Sequence, residues 1–524
     1  MLHHVAIVKG VFQNTTADDD LKPLAGQLDS QLWGLLPGFH RLTFEGGRVL
    51  LTLCVGDVGQ VLRQLYFKAD SICLNSPVLA DANVLYATKA IVRLCRRGTQ
   101  IHITTRLKSM HAALHQCGFV FTADEAQLEA EYNPAWPVKQ TKPAVQPSTC
   151  VVIGAGLAGA AVANSLARRG WIVTVLDAAS HPAGGASSLP AGLLVPHVSP
   201  DDNPLSRLSR CGVRITLQQA REHLRHGIDW GHTGVLQRCF DDDLRNLPAA
   251  WNQSPLQAAS AWCYPAAART LLAAGLPADS RALWHAQAGW LKPAALVKAW
   301  LAAPGIAWRG DQDIAKITFN AGSWQVQDAA GHVLAQADMV VVSAGYASRA
   351  LMASAGVARP DLRAVRGQIT FGLQKASDQL PPFAVNGNGS FIPAITTSDG
   401  PMWLMAASYE RDAVTPQIKA LDHAGNLARL QRLLPDTATA LADQFVAGSA
   451  RAWAGVRCAT PNHLPLVRPV ATSGSGSRLW TCTGLGSRGL SFAALCGELL
   501  AAHLHREPLP VDRKTAIALM KTEF

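Results

Sequence analysis

The chain has 524 residues, 48% of them hydrophobic and 16% charged, with a net charge of +10. At roughly 100–200 residues per domain, that length predicts two to four domains with ample core. No run of about 18 or more apolar residues occurs, which argues against a membrane span, and the start MLHHVAIVKGVFQNTTADDD lacks the basic and apolar regions of a secretory signal.

In chain order, GRVLLTLCVGD and ADSICLNSP read as strands. NVLYATKAIVRLCRRG reads as an apolar-periodic helix closed by Gly98, TQIHITTR as a strand, and KSMHAALHQCGFVF as a helix running into a strand. Alternation of this kind predicts an α/β unit with a parallel sheet. The segment YNPAWPVKQTKPAVQPS, Tyr132–Ser148, carries four prolines and little apolar content, and reads as an extended linker.

After it comes VVIGAGLAGAAVANSLARRGWIVTVLDAA, a strand, glycine turn, helix, strand and terminal acid. Gly154, Gly156 and Gly159 form G-x-G-x-x-G. The first makes a tight turn, the second lets the backbone approach a pyrophosphate, and the third lets helix pack on strand. The helix N-terminus offers free N–H groups and a positive dipole end. Asp177 closes the second strand, where its carboxylate can accept hydrogen bonds from an adenosine ribose. The loop predicts dinucleotide binding without choosing between NAD and FAD. Further on, ITFNAGSWQVQDAAGHVLAQADMVVVSAG reads as a β-meander returning to a buried strand, and WLMAASYE and SRLWTCTGLG as further strands. The architecture expected is a Rossmann-like nucleotide-binding domain with an interleaved β-rich substrate domain.

Eleven cysteines are scattered from Cys54 to Cys496 with no C-x-x-C pair, which favours reduced thiols and the cytoplasm over disulfides or a zinc site. The seventeen histidines form no H-E-x-x-H, so no metal site is expected. Residues 1–150 hold 14 Lys and Arg against 12 Asp and Glu, leaving 33 against 25 of the chain's 47 and 37 to the later part. A basic surface there suits a polyanionic partner.

Several ordered motifs carry a resemblance: HPAGGASSLPAGLLVPHVS after Asp177, then GWLKP, ADMVVVSAGYAS, VRGQITF, AGVRCATPNHLPLV and GLGSRGLSFAALCGELLAAHL. From about Cys150 onward the chain resembles the D-amino-acid-oxidase-like FAD oxidoreductases, which include glycine oxidase. Within them it is most similar to the MnmC family of tRNA wobble-uridine modification, in which a methyltransferase domain precedes the oxidase. The resemblance implies three parts: a truncated, degenerate methyltransferase-like α/β domain over 1–132, a Pro-rich linker over 133–148, and an FAD-dependent oxidoreductase over 149–524.

It also implies roles. Ala186, Ser187, Gly192, Gly345 and Gly486 join the glycine loop and Asp177 around FAD. Arg457 holds the substrate carboxylate through a bidentate guanidinium. Arg488 lies on the turn beside the flavin pyrimidine, where the N–H groups of Gly489 and Leu490 stabilise negative charge as an oxyanion hole does. The implied substrate is a carboxymethylaminomethyl group on a tRNA wobble uridine. Hydride transfer from its glycine CH₂ to flavin N5 and hydrolysis of the imine release glyoxylate. Trp290 reads as core packing.

The front unit departs from the resemblance. Residues 1–56 contain no glycine-rich loop of the GFGTGLN kind, and PGFHRLTFEGG does not follow a strand and open a helix. The family's FLDGFAP-like stretch aligns with CLNSPVL, putting Asn75 where an aspartate is expected and Ser76 where a glycine is. S-adenosylmethionine binding and methyl transfer are therefore not expected, and the unit is either a docking surface for tRNA or vestigial. Asn462 also replaces a usual aspartate, and ALMKTEF lacks the usual Pro-x-Arg-Phe ending. Two other functions share these motifs: an oxidase of free glycine-like or sarcosine-type amines, and a non-catalytic tRNA-binding protein.

Overall fold

The computed structural model describes residues 2–8, 22–74, 84–104, 108–121, 129–139, 143–240, 247–248, 251, 258–470 and 478–520. Two compact units emerge, one of Met1–Gln146 with Ala502–Ala518, the other of Pro147–Ala501 with a few C-terminal residues. Asn75, Ser76 and the last four residues lie outside the described residues.

The first unit is α/β, but its strands form two mixed sheets rather than one parallel sheet. In the first, Val49–Val55 lies between Leu2–Val8, which is parallel to it, and Gly38–Phe44, which is antiparallel. PGFHRLTFEGG is thus mostly strand. In the second, Ala69–Leu74 runs parallel to Cys95–Ile103, and Glu129–Tyr132 pairs antiparallel with both Cys95–Ile103 and Phe119–Phe121. Gly98 does not close the helix expected before it. That helix ends at Val92 and the strand already begins at Cys95. The Arg93-Leu94 break suffices because Lys68 ties both carbonyl ends, its ammonium donating to Arg93 O and Cys95 O at 2.9 Å. Gly98, at φ +86°, instead bends the strand where its register against Ala69 and Ser71 slips. The front of the proline-rich stretch packs on this unit, with Arg97 donating to Asn133 Oδ1 at 2.5 Å and Trp136 O at 2.8 Å.

His503 belongs to this unit's C-terminal segment. Burial, and then Arg506, push its imidazole from the ordinary 6.5 down to about 4. The native state therefore favours the neutral ring, and the unfolded chain binds the extra proton below pH 6.5. The associated stability is complete above that pH and is lost as pH falls from 6.5 towards 4, by up to about 3 kcal/mol. Urea unfolding of wild type and His503→Gln between pH 7.5 and 4.5 checks this. The wild type should lose stability more steeply with acid, and parallel curves would refute the assignment.

The second unit is built on a six-stranded sheet ordered Ile306–Arg309, Ile172–Leu176, Thr149–Ile153, Met339–Val342, Arg478–Thr483 and Leu466–Val470. The first five are parallel and the last is an antiparallel edge. Strands such as MVVV are buried throughout because both faces are covered, one of them by Ile317, Trp324 and Val326 together with Leu351 and Met352, so they read as unbroken apolar runs. Helix Leu157–Ala167 follows the glycine turn with ten of its residues buried. Helix Gly489–Leu504 crosses it closely, since a Cβ on Gly497 would stand 2.5 Å from Ala161 O. The expected meander is present as Lys316–Asn320, Ser323–Gln327 and Val333–Ala337, which leads into Met339–Val342.

Interleaved with this is a nine-stranded mixed sheet. Its Arg363–Leu373 strand pairs with Gly400–Ala406, Glu410–Arg411 and Arg451–Ala459. Helices Ala420–Leu433 and Pro435–Val446 pack on it over a core that includes Phe391, Trp403 and Leu430. A small sheet joins the two layers, with Gly289–Leu291 between Gly192–Leu194 and Trp230–Gly231. Trp290 is 5% exposed within a hydrophobic core.

Candidate flavin and substrate site

The glycine loop is shaped by contact. Gly154 has φ +107°, and a Cβ there would stand 2.6 Å from Ser343 O, so only glycine lets this turn lie against the Met339–Val342 strand end. A Cβ on Gly159 would stand 1.8 Å from Gly154 O, so helix and turn touch at the backbone. Gly156 caps the helix without a side chain, leaving its positive end to an anion. Ser187 stands over that end, its Oγ accepting from Leu157 N–H at 3.0 Å. At the second strand's end, Asp177 accepts from Ala155 N–H at 2.5 Å and Ala179 N–H at 2.8 Å. These bonds fix the carboxylate beside the loop while each oxygen retains a lone pair. The cradle fits a dinucleotide.

The remaining expected residues meet around the same turns. A Cβ on Gly192 would lie 3.1 Å from Leu490 Cδ1, and one on Gly489 3.1 Å from Leu157 Cδ1, so the Ala186–Leu194 segment, the glycine-loop helix and the Gly489 helix start converge. Gly486–Arg488 is a 3₁₀ turn leading directly into that helix. Gly489 and Leu490 therefore present first-turn N–H groups, and Arg488 is partly buried. Gly345 opens another short turn, and its carbonyl accepts from Thr483 Oγ1 at 3.2 Å.

Strand Arg451–Ala459 passes these turns. Ala459 bridges to Leu485, and positions for a Cβ on Gly345 and Gly486 lie 3.9 and 3.8 Å from Cys458 and Ala459. Its Trp453 donates to Ser188 Oγ at 3.0 Å, tying it to the segment over the loop. Arg457 stands on this strand, partly buried. Its guanidinium reaches Ser408 O at 3.5 Å and lies 5.6 Å from the Tyr409 ring centre. Among the described residues no carboxylate pairs with it. Burial pushes its guanidinium below the ordinary arginine value, with Tyr409 pulling the other way. A substrate carboxylate would restore what burial costs.

Arg366, in the VRGQITF motif, is a support. It is 1% exposed and donates to Gln417 O at 2.7 Å, Gln368 Oε1 at 2.8 Å, Glu410 Oε2 at 3.2 Å and Asp422 Oδ2 at 2.5 Å. Asn462 does not open its turn, since its Oδ1 accepts from Thr460 Oγ1 at 3.0 Å and Leu464 N–H at 3.2 Å. An amide oxygen meets both donors as a carboxylate would. Tyr409 and Trp453 were not singled out from the sequence. Their one linear signal, an aromatic in SYE and one in RAWAGVR, does not distinguish a site wall from core. All eleven cysteines are free thiols, eight of them buried. Among the described residues no helix is long and apolar enough to cross a membrane.

Fold and cradle together define an FAD-binding oxidoreductase, and the model of the DAO family, described as FAD dependent oxidoreductase, matches residues 149–503. Glycine oxidase from Geobacillus kaustophilus has the same fold, with TM-score 0.57 and 19% identity over 72% of this chain and 98% of that one. Iminodiacetate oxidase from Chelativorans sp. BNC1 shares it at TM-score 0.53 and 22% identity, over 69% and 96%. Curated relatives extend across both units. The tRNA 5-methylaminomethyl-2-thiouridine biosynthesis bifunctional protein MnmC of Polaromonas naphthalenivorans is 49% identical over 97% of this chain and 82% of its own length. That of a further Polaromonas species is 51% identical over 97% and 83%. The chain belongs to the MnmC family, and its second unit is an FAD-dependent oxidoreductase.

Proposed function

We propose that this chain removes the carboxymethyl group from carboxymethylaminomethyl-uridine, with or without a 2-thio group, at the wobble position of tRNA. The observation that carries the reading is Arg457, a partly buried guanidinium with no carboxylate partner among the described residues, set beside the flavin turns. The substrate side chain ends in the carboxylate that such a group recognises. The names of the curated relatives point to the tRNA wobble base.

When bound, FAD supplies the two-electron acceptor that turns the secondary amine into an imine, which water hydrolyses to glyoxylate and an aminomethyl base. Gly154, Gly156, Gly159, Ser187 and Asp177 would hold its pyrophosphate and adenosine side. Gly345, Gly486 and Gly192 would line its edges. Gly489 and Leu490 would aim N–H groups at developing negative charge, with Arg488 alongside. Arg457 orients the glycine methylene by fixing its carboxylate, and an amine bound neutral needs no protein base. Methyl transfer is no part of this proposal. A tRNA docking surface and a structural remnant are the two roles proposed for the first unit, and the cytoplasm is the proposed location.

Anaerobic addition of tRNA bearing carboxymethylaminomethyl-uridine to the purified yellow protein tests this. The flavin band should bleach with that tRNA and only weakly with glycine or sarcosine. Bleaching by the small amines alone would identify a free-amine oxidase. A colourless protein that does not take up FAD would leave only a binding role.

A further inference from the structure

We propose that Tyr409 contacts the substrate's nucleobase, and that this contact separates a base-borne glycine unit from a free one. The inference rests on the substrate reading above. Tyr409 is 52% exposed although it belongs to the wall of the site, with its ring centre 5.6 Å from Arg457 Cζ. An exposed ring in a mobile loop would mean little, but this one is held from both sides. Ser408 N–H donates to Gln368 O at 3.0 Å, and Ser408 Oγ accepts from Gln368 N–H at 3.0 Å. Glu410 accepts from Lys419 Nζ at 2.8 and 2.9 Å and from the buried Arg366 at 3.2 Å. The backbone on either side is thus tied to the sheet while the ring faces water. That arrangement presents the ring to solvent from a held segment beside Arg457.

A pair of glycines makes room for the side chains that lie next to the ring. Gly367 and Gly455 stand opposite each other on neighbouring strands. A Cβ on Gly367 would fall 2.4 Å from Arg457 Nη2, and one on Gly455 2.3 Å from the Trp453 ring. Arg457 and Trp453 therefore lie flat across a floor without side chains, and Tyr409 rises at the Arg457 end. A free glycine would fill only the carboxylate position. In the base-borne substrate, four bonds of about 1.5 Å separate the carboxyl carbon from the pyrimidine ring, a reach of roughly 5 Å. A base at that distance from the Arg457-bound carboxylate is within reach of the Tyr409 ring face. Base–aromatic stacking corresponds to roughly 5- to 150-fold in affinity on truncation.

The test compares wild type, Tyr409→Leu, Tyr409→Phe and Tyr409→Trp, each loaded with FAD, in flavin reduction by carboxymethylaminomethyl-uridine tRNA and by sarcosine. The readout is the ratio of kcat/KM for tRNA to that for sarcosine. Tyr409→Leu should lower this ratio about tenfold or more, while Tyr409→Phe and Tyr409→Trp keep it within about threefold. If Tyr409 only props Arg457, both substrates fall together and the ratio stays constant, which overturns the proposal. Should Tyr409→Leu fail to retain flavin, a ratio lowered in both aromatic variants overturns it equally. A wild type reduced by sarcosine but not by the tRNA would instead sink the substrate reading, and this inference with it.

Discussion

Replacing Arg457 by methionine should lower kcat/KM for carboxymethylaminomethyl-uridine tRNA by about two to three orders of magnitude while the protein stays yellow. The size follows from removing one partner of a desolvated, hydrogen-bonded charge pair, about 3–4 kcal/mol. Methionine keeps the apolar stem but not the guanidinium that lies by the Tyr409 ring and over Gly367, so those contacts are lost together with the charge. Arg457→Lys should recover only part of the loss, because a point charge cannot match both carboxylate oxygens. Single-turnover flavin reduction against substrate concentration measures the effect. A variant within threefold of wild type would remove Arg457 from the site and, with it, the main support for a carboxylate-bearing substrate.

The second large effect is expected at the glycine loop. Gly159→Ala places a methyl group 1.8 Å from Gly154 O, which is backbone and cannot swing aside. Either the helix moves off the strand or the turn opens, and both destroy the pyrophosphate cradle. Overpacking of this kind costs about 3 kcal/mol or more, so FAD affinity should fall at least roughly 100-fold. Gly185→Ala is the matched control, because a Cβ there has nothing within 4 Å. The visible spectrum of each purified variant, followed by FAD titration, decides the matter. Gly159→Ala should be colourless and Gly185→Ala yellow. Equal flavin content in the two would mean that the loop does not hold the dinucleotide.

Local chemistry made much of this legible in advance. Gly154, Gly156, Gly159 and Asp177 could be read because their spacing is imposed by a strand–turn–helix–strand unit that contacts itself. The meander before Met339 could be read for the same reason, since alternation and turns are short-range signals. The two mixed sheets of the first unit could not, because strand direction depends on which distant segment pairs, and Gly98 is equally plausible as a helix end or a strand bend.

The linear chain by itself determined the strand–turn–helix shape of the glycine loop and pointed to Arg457 as a candidate anchor, because the first is a local geometry and the second sits in a recognisable motif. Only the tertiary structure decided that Arg457 has no carboxylate partner among the described residues, that Arg366 is instead saturated by Glu410 and Asp422, and that Tyr409 stays half exposed beside Arg457. The two arginines differ in burial, partners and solvent, quantities set by strands about 45 to 90 residues apart in the chain that meet in one sheet. No window of sequence contains those neighbours, so no pattern within one could have told an anchoring arginine from a structural one.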